Sequence, residues 1–138
     1  IENVFWRIYH GELDGCHPKH ICLLIGTNNL EKNTNDEIVS GIIGLVNLIR
    51  EEQPQAYLHV LSVFPRQGQE SRIVELNSLL QTKLITNDKV DLIDLTPQLI
   101  LKDGTGKIDN SLFTDGLHPN ETGYGRIAKV LKPIFREP

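Results

Sequence analysis

Only two cysteines occur in the chain, Cys16 and Cys22, too few for a disulfide framework. Long apolar runs are missing as well. The longest, residues 21–25 and 42–46, fall far short of the roughly 20 residues a membrane-spanning helix requires. Lys and Arg are scattered, with no basic cluster and no interleaved aromatics, and the net charge is −4. Neither nucleic acid nor an anionic membrane is favoured as main partner by that balance. Internal repeats, low-complexity tracts and Pro/Gly-rich linkers are absent, so residues 1–138 read as one domain. The chain opens at Ile1 rather than at Met, and the expectation is that a front segment precedes it.

A composition of 39% hydrophobic and 23% charged residues is that of a globular protein with a proper core. Along the chain, strand and helix patterns alternate. Residues 1–12 read as a helix with Val4, Phe5 and Ile8 on one face. Residues 21–25 are apolar on both faces, as in a buried parallel strand. Thr34-Asn35-Asp36-Glu37 has the spacing of a capping box, whose side chains satisfy the free amides of a helix start. Ile38, Ile42, Leu45 and Ile49 follow at helical spacing. A strand over 57–63, a helix marked by Ile73, Leu76 and Leu80, and a strand over 90–95 come next. Residues 102–106 make a turn-rich surface loop. The last helix opens near Asn120, a favoured cap, and is expected to turn Tyr124, Ile127, Leu131 and Ile134 inward.

This order predicts an α/β fold with right-handed crossovers and a mainly parallel sheet. In a sheet of these three strands alone, residues 21–25 would form an edge. An apolar parallel strand with open amides invites aggregation, so a further strand is expected beside it.

Two segments could carry chemistry. Gly26-Thr27-Asn28-Asn29 follows the first strand, and open α/β sheets bind ligands at the carboxyl ends of strands. An asparagine there can direct its amide at a developing oxyanion; equally, Asn28 and Asn29 could shape a turn and cap their neighbours. Asp115-Gly116-Leu117-His118-Pro119-Asn120 precedes the last helix. A carboxylate three residues before a histidine on a tight loop can reach the imidazole, fix its tautomer and stabilise its cation. The plain alternative is a surface histidine beside a helix start, with Asp115 as a local cap.

The first segment resembles block III of the SGNH/GDSL hydrolases, and Asp115-Gly116-Leu117-His118-Pro119 resembles their block V. Further matches are Val4-Phe5-Trp6-Arg7-Ile8, Gly11-Glu12-Leu13, Pro18-Lys19, Gln53-Pro54-Gln55-Ala56 and Phe64-Pro65-Arg66. These are similar to the branch that includes the catalytic subunits of platelet-activating-factor acetylhydrolase. The resemblance implies a three-layer α/β/α, flavodoxin-like fold and a serine ester hydrolase needing no metal or cofactor. It implies Asn28 in the oxyanion hole, Gly26 and Asn29 beside it at the substrate, His118 as general base and Asp115 as its orienting carboxylate. In that family the nucleophilic serine sits in a Gly-Asp-Ser segment after the first strand. Ser40, Ser62, Ser71, Ser78 and Ser111 all lack this context, so the nucleophile is expected outside the chain, ahead of Ile1, and the chain alone is expected to be inactive. Ser62, near a strand end, is the nearest substitute and reads as structural.

Cys16, His17, His20 and Cys22 cluster in sequence, but not at a usual structural zinc spacing. His59 reads as a packed strand residue and Asp94 as structural. Trp6 and Tyr9 are expected to pack, and Arg66 to sit on a solvated loop or at the rim of the site. The expected function is hydrolysis of a small acyl ester of a lipid or carbohydrate; a homodimer is possible by analogy with related enzymes. The alternative is a non-catalytic binding module on the same fold.

Overall fold

The computed structural model describes residues 1–135. Helix α1 spans Glu2–Tyr9 and leads through a run of turns to strand β1, His20–Leu23. After a single 3₁₀ turn at Thr27–Asn29, helix α2 runs Asn35–Glu52. Its start is the expected capping box: Thr34 Oγ1 accepts from the Glu37 amide at 3.3 Å, and Glu37 Oε2 accepts from the Thr34 amide at 2.8 Å. A cap of this kind stabilises a helix by about 1 kcal/mol. Strand β2 (Tyr57–Leu61), helix α3 (Glu70–Lys83) and strand β3 (Val90–Ile93) follow. A short helix, α4 (Thr96–Leu99), a second 3₁₀ turn at Asn110–Leu112 and helix α5 (Glu121–Leu131) complete the described elements.

The sheet has the order β1-β2-β3 with both pairings parallel. One face packs on α1, α2 and α3 through Ile38, Ile42, Leu45, Leu58, Val60, Ile73, Leu76 and Leu80. The periodic apolar positions of α2 and α3 are therefore core positions, as their spacing predicts. The other face packs Leu61 and Ile93 against Leu95, Leu99, Leu112 and Ile127 from the α4–α5 region. Helices thus lie on both sides of a parallel sheet.

Three expectations need correction. β1 is not buried on both faces: Leu23 is buried, but Cys22 and Leu24 are exposed. The second core layer covers β2 and β3 at Leu61 and Ile93 and does not extend over β1, which lies at the edge of the sheet. Tyr124 is exposed rather than inward, and helix α5 ends at Leu131, before Ile134. On α5 it is Ile127 that is buried, with Val130 and Leu131 packed against that layer. Trp6 and Tyr9 are also largely exposed, because Ile8 and the half-buried Val4 and Phe5 take the inner stripe of α1; Trp6 stacks instead on His10.

Among the described residues, no group of three or more His, Cys, Asp or Glu side chains is placed to hold a metal ion. Cys16 and Cys22 are free and exposed. His20 Nδ1 lies 3.0 Å from His59 Nε2, and the buried His59 meets Asp91 through Nδ1 at 2.7 Å. Partial burial of the otherwise accessible Cys22 side chain, with Asp91 nearby, raises the pKa of its thiol, which disfavours the reactive thiolate.

Candidate active site

A cleft of about 620 Å³ opens beyond the carboxyl ends of β1 and β2. One wall is the segment from Leu24 to Asn29, another is Val63 and Phe64, and a third is Leu117, His118, Pro119 and Tyr124; α1 contributes Glu2, Asn3 and Val4. Asn28 and His118, ninety positions apart in the chain, therefore face one crevice.

The Asn28 turn is built by close packing. Gly26 opens it with φ of 120°, and a Cβ there would lie 3.2 Å from Ile38 and 3.3 Å from Val63. The Asn29 amide donates to the Gly26 carbonyl at 3.0 Å. The two asparagines then diverge. Asn29 is buried; its Nδ2 donates to Asn33 Oδ1 at 3.0 Å and to Glu2 at 3.2 Å, while its Oδ1 accepts from the Ile1 amino group. Asn28 is exposed, and among the described residues its side-chain amide has no hydrogen-bond partner. Of the pair, Asn28 is the one with a donor to offer a ligand. Gly26 works as the pivot, with Asn29 tying the turn internally.

The His118 loop is held as closely. Asp115 Oδ1 accepts from the amides of Leu117 at 3.0 Å and His118 at 2.8 Å, and Oδ2 meets His118 Nδ1 at 2.7 Å. These bonds to the ionised form hold the Asp115 carboxyl down at about 2, the His118 backbone amide first among them. Ionised Asp115 accepts the Nδ1 proton, which leaves Nε2 as the nitrogen free to take another. Gly116 at φ of 76° lets the loop double back, and its carbonyl accepts from the Gln67 amide at 2.9 Å. Beyond the loop, Asn120 caps α5 by accepting from the Gly123 amide at 3.1 Å and donates to the Ser111 carbonyl at 2.8 Å.

None of the five serines lines this cleft. Ser62 is buried and its Oγ accepts from the Leu95 amide at 2.9 Å, a structural bond. Ser40, Ser71, Ser78 and Ser111 are exposed elsewhere. Arg66 pairs with Glu31 at 3.0 Å, and Asp94 accepts from the Thr96 amide. Sequence reasoning missed Thr27, whose buried Oγ1 has no partner among the described residues, and Tyr124 as a cleft wall. Their only signal was position: one precedes Asn28, the other lies six residues past His118, in the first turn of α5.

The family model described as GDSL-like Lipase/Acylhydrolase matches residues 2–126. Human platelet-activating factor acetylhydrolase IB subunit alpha2 is 34% identical over 139 residues, covering 98% of this chain and 59% of that protein. The human alpha1 subunit is 31% identical over 138 residues, covering 97% and 58%. The chain thus spans under two thirds of the length of these relatives. A solved GDSL-like lipase from Bacteroides thetaiotaomicron superposes with TM-score 0.75 at 16% identity, covering 95% of this chain and 69% of that one. A carbohydrate esterase family 3 structure from Talaromyces cellulolyticus gives 0.71 at 19% identity, covering 88% and 59%. At such identities the likeness is one of fold, the flavodoxin-like α/β/α arrangement expected from the sequence.

Proposed function

The chain belongs to the GDSL-like lipase/acylhydrolase family, and from that premise we propose that it supplies the base, the orienting acid and an oxyanion donor of a serine carboxylic-ester hydrolase. The observation that carries this reading is the shared cleft: the exposed Asn28 amide and the Asp115-anchored His118 open on the same space. The nucleophilic serine is placed outside this chain, a reading supported by the absence of any serine from the cleft lining.

In the proposed reaction the serine Oγ forms a bond to the ester carbonyl carbon, and its proton passes to His118 Nε2. The carbonyl π pair moves onto oxygen, where the Asn28 amide donates to it. Collapse of the tetrahedral intermediate breaks the bond to the alkoxide, which takes the proton from His118. Water repeats the sequence on the acyl-enzyme, with His118 again the base. Asp115 stays ionised and holds the ring through Nδ1. The proposed substrate is a small acyl ester, such as an acetyl ester of a lipid or a carbohydrate.

The test is turnover of a short-chain aryl ester by the full-length protein. His118→Ala is expected to lose on the order of 10⁴-fold or more in kcat; near-normal turnover in that variant refutes the assignment. The 138-residue chain alone is expected to turn over little or nothing. Robust hydrolysis by it overturns the placement of the serine.

A further inference from the structure

The turn that carries Asn28 has little regular structure to hold it. Three residues form a single 3₁₀ turn, whose own bonds are weak. Residues 30–34 lie outside helix and strand until α2 begins at Asn35. Catalytic donors need positions fixed to roughly half an ångström, so something must anchor this segment.

Asn29 is tied to Ile1 and Glu2 at the start of α1, and a second anchor reaches the segment from α3. Arg72, in the first turn of that helix, spreads its guanidinium over three acceptors of the segment following Asn28. Nη1 donates to the Leu30 carbonyl, Nη2 to the Asn33 carbonyl at 2.5 Å, and Nε to Asn35 Oδ1 at 3.1 Å. Asn35 answers by donating its Nδ2 to the Arg72 carbonyl at 3.3 Å. The Asn33 amide in turn donates to the Asn29 carbonyl at 2.9 Å, and Asn29 Nδ2 to Asn33 Oδ1. A continuous series of hydrogen bonds therefore runs from Arg72 through Asn33 to the residue next to Asn28. From the loop after β2, Arg66 ties to this segment at Glu31, an exposed pair of the kind solvent weakens. Arg72 itself does not line the cleft, so it reaches a substrate only through the turn.

We propose that Arg72 is a positioning residue for the Asn28 turn, fixing the amide where the ester oxyanion forms. The proposal rests on the hydrolase reading above. The planar fork matters as much as its charge. Three N–H directions meet three acceptors at once, which a lysine ammonium on a flexible stem cannot reproduce.

A double-mutant cycle in the full-length protein, on the same aryl ester, tests it. Arg72→Ala is expected to lower kcat by about 10- to 100-fold with KM within about threefold, because an oxyanion donor acts in the transition state. Asn28→Ala should lose about 10²–10³-fold. The diagnostic result is the pair together: with Asn28 already removed, Arg72→Ala should cost less than about threefold more. Arg72→Lys is expected to remain well below wild type, and Asn35→Ala, which removes one acceptor and leaves Arg72 intact, to show an intermediate loss. These two variants carry the test if Arg72→Ala does not fold. Multiplying losses in the double mutant, wild-type kcat in Arg72→Ala, or full rescue by lysine each overturn the proposal while leaving the hydrolase reading in place. Full turnover in Asn28→Ala removes the oxyanion reading, and this proposal with it.

Discussion

Two glycines in the first turns of α5, Gly123 and Gly125, should respond to the same substitution with opposite signs. A Cβ on Gly123 would lie 2.4 Å from the Leu112 carbonyl oxygen and 3.0 Å from Pro119 Cβ. The obstacle at 2.4 Å is backbone, which cannot rotate aside, and ordinary contact would need about 1 Å of movement between α5 and the Asn110–Leu112 turn. Overpacking of this kind costs typically about 1–3 kcal/mol, and a backbone obstacle argues for the upper end. Alanine recovers up to about 1 kcal/mol of helix propensity relative to glycine, leaving a net loss of about 2 kcal/mol. At roughly 4 °C per kcal/mol for a chain of this length, Gly123→Ala should lower Tm by about 8 °C. Gly125 is exposed and nothing lies within 4 Å of its Cβ position. Gly125→Ala should therefore keep only the propensity gain and raise Tm by about 2–4 °C. Thermal melts followed by circular dichroism on the 138-residue chain read both without any activity assay. A Gly123→Ala melt at or above wild type would refute the close approach of α5 to Leu112, and with it the packing that sets where the His118 loop meets the helix.

Asp115 makes a prediction in pH. Its folded carboxyl titrates at about 2 against an ordinary 3.8, so its contribution to stability is fully present above about pH 4 and is lost as pH falls through about 2. A carboxyl-carbon NMR titration should show Asp115 ionised at pH 3, and an ordinary midpoint near 4 would contradict the observed bonding. Any loss of turnover between pH 4 and 7 should then not come from protonation of Asp115. Ser62→Ala leaves the Leu95 amide unpaired in the interior and should destabilise the fold by about 1–2 kcal/mol, read as a lower midpoint in urea. The same variant should leave ester turnover of the full-length protein and its fluorophosphonate labelling unchanged; loss of either would make Ser62 the nucleophile after all.

The elements legible in the sequence are those whose causes are local. The capping box at Thr34 and Glu37 joins residues three apart. The apolar stripes of α2 and α3 need only the helical repeat to reveal the core positions from Ile38 to Leu80. Asp115 and His118 are likewise three residues apart, so their pairing could be read from spacing. The Asp91–His59 pair has the same Nδ1-to-carboxylate distance, 2.7 Å, but joins neighbouring strands across 32 positions and left no mark in the sequence. Tyr124 was misread because helical spacing yields a face without saying how wide the covering layer is. The layer beneath α5 takes Ile127 and leaves Tyr124 to the cleft.

Local sequence, then, determined the alternation of strand and helix, the capped start of α2 and a histidine with its carboxylate on one tight loop, because each depends on residues within a turn or two of one another. Tertiary structure alone decided which of two adjacent asparagines is buried and which is free. Glu2 from α1 and Arg72 from α3 approach the turn and the segment after it, and their order along the chain carries no trace of that meeting. It also decided that Asn28 and His118 share one cleft. Parallel strands deliver their carboxyl ends to the same side of the sheet, and that packing gathers loops which the chain itself keeps far apart.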